Sequence, residues 1–158
     1  MNLSGLFKGR VSVVCVGSEL SGDDALGRKL AGLLAGLKDP DLQILYTSTA
    51  PENFLDELIM FKPKRVVVVD AGDFGGRPGE IRQLDPADLQ SAHISTHRAP
   101  MKMFTARLAG ENIPTTYIAV QAKQTGLGEP MSAEVREAAV KLACRIREAR
   151  GRWKRRAG

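Results

Sequence analysis

A chain of 158 residues with 43% hydrophobic and 26% charged content is expected to form a single domain over 1–158, with enough core to fold without staples. No run approaches the roughly 18 apolar residues of a membrane span, and Met1 to Arg10 lacks the apolar stretch of a signal peptide, so a cytoplasmic protein without membrane insertion is expected. The net charge of +5 is concentrated at the end, where Arg145, Arg147, Arg150, Arg152, Lys154, Arg155 and Arg156 face the single acid Glu148.

Such an end reads as a solvated, frayed helix terminus whose cations complement the helix dipole. The core is therefore expected over about 11–146, with a basic extension over 147–158 whose removal from Arg150 onward changes little in the isolated reaction. Only Trp153 interleaves with the charges, so no nucleic-acid partner is expected. Cys15 and Cys144 read as small buried hydrophobes, and no C-x-x-C spacing suggests zinc.

The runs Val11 to Val16, Leu42 to Tyr46 and Val66 to Val69 are β-branched-rich and nearly continuous, as in parallel strands covered on both faces. Leu26 to Leu37 and Asn53 to Phe61 repeat apolar residues at helical spacing between them. The glycine-rich segment Gly17 to Gly27 joins the first strand to the first helix. It places Asp23 and Asp24 where a phosphate-cradling loop needs Lys and Ser/Thr, so it reads as a carboxylate held out toward a cation.

After Asp70 a turn-rich connection leads to Glu80 to Leu84, short and alternating like an antiparallel edge strand. A helix is expected from about Pro100 to Leu108, with Met103, Phe104 and Leu108 on one face. Thr115 to Gln121 is the last strand, and Ser132 caps a helix running to about Ala149. The fold class is thus α/β, a three-layer α/β/α sandwich on a mostly parallel five-stranded sheet with one antiparallel edge-type strand.

Three polar residues fall at one predicted edge of that sheet. Asp24 opens the helix after the first strand, Asp70 ends the strand Arg65 to Asp70, and His97 precedes the helix that Pro100 marks. Two carboxylates and an imidazole suit a divalent first-row metal with open coordination positions, and suit Ca²⁺ or structural zinc badly. Each has a plainer role: Asp24 can complement a helix dipole, Asp70 can cap the following turn, and Asp73 reads first as a turn cap. His97, like His93, can be an ordinary hydrogen-bonded histidine.

The residues Val16-Gly17-Ser-Glu-Leu-Ser-Gly22-Asp-Asp24-Ala-Leu-Gly27, Ala50-Pro-Glu-Asn53, Val69-Asp70-Ala-Gly-Asp73-Phe-Gly75-Gly-Arg-Pro-Gly79-Glu-Ile81 and Ser95-Thr-His97-Arg-Ala-Pro100 occur in that order. Together they resemble the hydrogenase maturation endopeptidases, over approximately Val11 to Ile146. The Ala-Pro-Glu-Asn block looks most like the branch serving formate-hydrogenlyase-type and energy-converting hydrogenases. Ser18 and Ala25 depart from the asparagine and glycine frequent in the family, which bears on loop geometry and substrate preference.

The resemblance implies a hydrolase, an aspartyl-type endopeptidase acting as a monomer on the large-subunit precursor of a NiFe-hydrogenase. It implies that Asp24, Asp70 and His97 are the catalytic and metal-binding residues and that they meet nickel supplied by the substrate, a site other divalent ions can also occupy. Asp23 matches the second acid of the family's pair and Asp73 a recurrent neighbour. The rival readings are a free-standing metallohydrolase on small amides and a non-enzymatic nickel or large-subunit binding module. Cys15 and Cys144 form no Cys-His pairing that would support nucleophilic catalysis.

Overall fold

In the computed structural model, which describes residues 1–85, 89 and 98–158 and only the backbone of 98–100, five strands form one sheet. These are β1 (Val11–Val16), β2 (Leu42–Ser48), β3 (Arg65–Gly72), β4 (Ile81–Leu84) and β5 (Thr115–Gln121). Their order is β2-β1-β3-β5-β4. All neighbours are parallel except β4, which runs antiparallel to β5 with Ile81 opposite Val120 and Leu84 opposite Tyr117. The expected mixed sheet and its antiparallel edge strand are present.

Among the described residues, four α-helices cover the two faces: α1 (Leu26–Leu34), α2 (Leu55–Phe61), α3 (Arg98–Gly110) and α4 (Ala133–Ala157). On one face Leu26, Leu30 and Leu34 of α1 and Val135, Leu142 and Ile146 of α4 pack with Val13, Cys15, Val67 and Val69. On the other, Leu58 of α2 and Phe104 and Leu108 of α3 pack with Val14, Val16, Val66 and Val68. Alternate residues of β1 and β3 thus feed opposite cores, which explains their nearly continuous apolar runs. Ser132 caps α4 as expected, its hydroxyl accepting from the Val135 N–H at 3.3 Å.

Several expectations are corrected. Met103 is 73% exposed, and Met101 takes its place beside Phe104 and Leu108. Residues 101, 104 and 108 share a helical face, whereas 103 is rotated away by roughly one residue's 100° step. The helix α3 begins at Arg98, so Pro100 sits within its first turn, where its missing N–H costs no intrahelical bond. Asp70 does not end its strand, because β3 continues to Gly72. Cys144 is exposed, while Cys15 is buried as expected.

The basic end differs most from its expected form. Helix α4 continues to Ala157, and Arg150 is 3% exposed. Its Nε lies 2.5 Å from Asp39 Oδ2 and its Nη1 donates to the Phe7 carbonyl at 3.0 Å, with Trp153 stacked 4.3 Å away. Leu3, Leu6 and Phe7, which precede the expected start of the core, are buried against the α1 and α4 face. A guanidinium at this depth is stable because a carboxylate and backbone carbonyls meet its donors. Among the described residues no helix is long and apolar enough to cross a membrane.

Candidate functional site

The chain leaves β1 toward β2 on one side and returns to β3 on the other, so the connections diverge at the carboxyl ends of β1 and β3. A crevice forms at such a switch point, and α/β folds bind ligands there. Gly17 follows β1 with φ +128, and a side chain on it would place Cβ 2.1 Å from the Asp24 carbonyl. A Cβ on Gly27 would lie 2.4 Å from the Val16 carbonyl. These two close approaches press the helical turn Gly22–Ala25 against the end of β1 and bring Asp24 to the crevice.

Asp70 stands on β3 opposite Ala119 of β5, on the face shared by Val66 and Val68 and covered by α2 and α3. It is 6% exposed. Burial, reinforced by the negative charge of Asp24, holds its carboxyl well above the usual carboxylate range, against the opposing pull of a backbone hydrogen bond at Ala71. The structure therefore brings Asp24 and Asp70 into electrostatic contact. His97 and His93 lie outside the described residues, and α3, described from Arg98, packs on the sheet face that carries Asp70.

Asp23, the other acid of the pair, turns inward and is fully buried. Its carboxylate accepts from the Lys123 N–H at 2.7 Å, the Gln124 N–H at 3.0 Å, the Ser132 N–H at 2.7 Å and the Ser132 hydroxyl at 3.0 Å. Its own N–H donates to the Gln124 carbonyl at 2.8 Å. Asp23 is thus a latch that ties the turn bearing Asp24 to the loop between β5 and α4, and its charge sits favourably at the start of α4.

A second brace is Gln121, which the sequence reading passed over as the last residue of a strand. Its carbonyl oxygen accepts from the Phe74 and Gly76 N–H groups at 3.0 Å each, and its amide nitrogen donates to Asp73 Oδ1 at 3.1 Å. Asp73 Oδ1 also accepts from the Gly75 N–H at 3.0 Å, so its turn-capping role is present. An amide directly following the apolar run Ile118 to Val120 was the available signal.

Chemically, two carboxyl groups at a buried edge disfavour each other's ionised form until a cation joins them. Among the described residues no group of three His, Cys, Asp or Glu side chains forms a metal site, and the third expected ligand, His97, is outside them. The donor set of Asp24 and Asp70 fits a hard or borderline divalent ion. Burial pushes the Cys15 thiol up to about 12, which leaves it inert as a nucleophile.

Comparison with known proteins decides the family. A family model described as hydrogenase maturation protease matches residues 30–149, a span that contains Asp70 and His97. The chain belongs to the hydrogenase maturation protease family. It is 30% identical over 127 residues to the Hydrogenase 3 maturation protease of Escherichia coli K12, covering 80% of this chain and 81% of that one. The crystal structure of a NiFe hydrogenase maturation protease, HycI, from Thermococcus kodakarensis superposes with a TM-score of 0.85 at 33% identity, covering 94% of this chain and 98% of that one. The solution structure of the endopeptidase HycI from Escherichia coli gives a TM-score of 0.79 at 29% identity, with 88% and 90% covered. These maturation proteases are hydrolases of peptide bonds, and the α/β architecture here is theirs.

Proposed function

We propose that this chain is the endopeptidase that removes the C-terminal extension of a NiFe-hydrogenase large-subunit precursor once nickel has been inserted. Asp24, Asp70 and His97 dock on the nickel the substrate carries, so the metal licenses its own protein's cleavage. The observation that carries this reading is Asp70, a carboxyl group buried at the switch point and burdened by the charge of Asp24. An ionised pair in that position gains most from an incoming divalent cation.

Docking fixes the precursor's adjoining peptide against the crevice and so removes much of the entropy of bringing the scissile amide to the reacting groups. Nickel on the substrate can polarise the scissile carbonyl or acidify a bound water. A carboxyl group whose pKa is raised is suited to exchange a proton with that water or with the leaving amine. The family match and the peptidase relatives support the hydrolytic assignment.

The test is the intact mass of a cognate precursor, nickel-loaded and nickel-free, before and after incubation with this protein. Loss of a C-terminal peptide from the loaded form alone is expected. Equal cleavage of both forms would remove the nickel gate, and no cleavage of a loaded cognate precursor would favour a binding module.

A further inference from the structure

Two loops at the functional edge each hold a large apolar side chain in solvent. Leu20, in the loop that leads to Asp24, is 65% exposed, and Leu127, between β5 and α4, is 82% exposed. Their loops are joined directly, because the Gly128 N–H donates to the Leu20 carbonyl at 2.8 Å. The Asp23 latch and the bond from the Gly22 N–H to the Glu129 carbonyl, 3.1 Å, close the same pair of loops lower down.

The loop that carries Leu127 is also braced within itself. The Gly126 N–H donates to the Glu129 carboxylate at 2.7 Å, the Glu129 N–H returns to the Gly126 carbonyl at 3.1 Å, and the Gln124 side-chain amide reaches the Pro130 carbonyl at 2.6 Å. A single exposed leucine carries no information. Met60 and Met103, also strongly exposed, stand on separate helices. Two leucines on bonded, braced loops beside the crevice are a different case, since their ordering is already complete before a ligand arrives.

The occupant follows from the chemistry of the family. A protease takes a polypeptide across its site, and here the site's edge is flanked by these loops. We infer that Leu20 and Leu127 form an apolar grip for the stretch of precursor polypeptide that adjoins the scissile bond, receiving an apolar side chain of that stretch. This inference rests on the proposed function and adds a peptide-binding element to the nickel-docking residues. Recognition is then divided: the carboxyl pair senses the metal, and the leucine pair holds the chain.

Processing of the nickel-loaded precursor is measured with the wild type, the Leu20→Ser/Leu127→Ser variant and the Leu20→Met/Leu127→Met variant. The serine pair should raise KM about tenfold with kcat within about twofold, and the methionine pair should restore KM. Melting temperature and light-scattering mass should match the wild type in both. Affinity for the immobilised precursor is read on the same proteins and should fall about tenfold for the serine pair. Unchanged KM and affinity would overturn the grip, as would a wild-type dimer that the serine pair dissociates. Failure of the wild type to shorten the precursor would overturn the proposed function alone, with the affinity still deciding the grip.

Discussion

The two ends of the sheet treat a buried acid in opposite ways. Just before β2, Asp39 meets Arg150 at 2.5 Å and Lys154 at 3.2 Å, and the Arg150 hydrogen bond holds its carboxyl down at about 2. Near the carboxyl end of β3, Asp70 is pushed well above the ordinary range by burial and by a second carboxylate. Desolvation acts on both acids, so the difference lies in what surrounds them. Where donors and cations answer the charge, the acid consolidates the fold. Where burial and a like charge act on it, the acid's ionised form is disfavoured, as is common for groups at functional sites.

The largest expected effect separates the two ends by function. Asp24→Ala should lower processing of the nickel-loaded precursor by at least about a thousandfold, read by intact mass, with the melting temperature nearly unchanged because the side chain is only half-buried. Arg150→Ala should do the reverse. It strands the Asp39 carboxylate and should cost about 3–5 kcal/mol in denaturant unfolding, while cleavage per folded molecule stays at the wild-type level. Removal of the chain from Arg150 onward should carry the same cost in stability, because it takes away the same partner of Asp39.

Asp23→Ala should fall between them, with about 2–4 kcal/mol lost through unsatisfied donors at Lys123, Gln124 and Ser132. Faster amide exchange confined to the loop between β5 and α4 would show that the latch, and not the core, has opened. Acid should touch the amino end first. Asp39 has a folded pKa below its ordinary 3.8, so its stabilisation is complete above that value and fades as pH falls from 3.8 toward about 2. Unfolding measured from pH 5 to 2 should therefore lose about 2 kcal/mol less in Asp39→Asn than in the wild type.

Much of this was legible from residues alone. Val11 to Val16 and Val66 to Val69 announce two-sided burial, the alternating Ile81 to Leu84 announces an edge, and an acid following four valines announces a partner or a site. What stayed hidden depends on contacts remote in sequence. Nothing in Asp23-Asp24 tells which acid turns inward, because the donors that capture Asp23 come from Lys123, Gln124 and Ser132. Arg150 reads as one more tail cation until Asp39, 111 residues away, is seen to meet it. Met101 and Met103 differ by a rotation that composition cannot see, although strict helical phasing from Phe104 and Leu108 favours Met101.

The most direct measurement compares Asp70→Asn with the wild type on one preparation, reading cleavage of the nickel-loaded precursor by mass and unfolding of the free protein by heat. Replacing a buried carboxyl group that faces Asp24 with a neutral amide should raise the melting temperature or leave it unchanged, while cleavage is lost. A variant that melts lower and still cleaves at the wild-type rate would contradict the account, because Asp70 would then be an acid that the fold needs and the reaction does not.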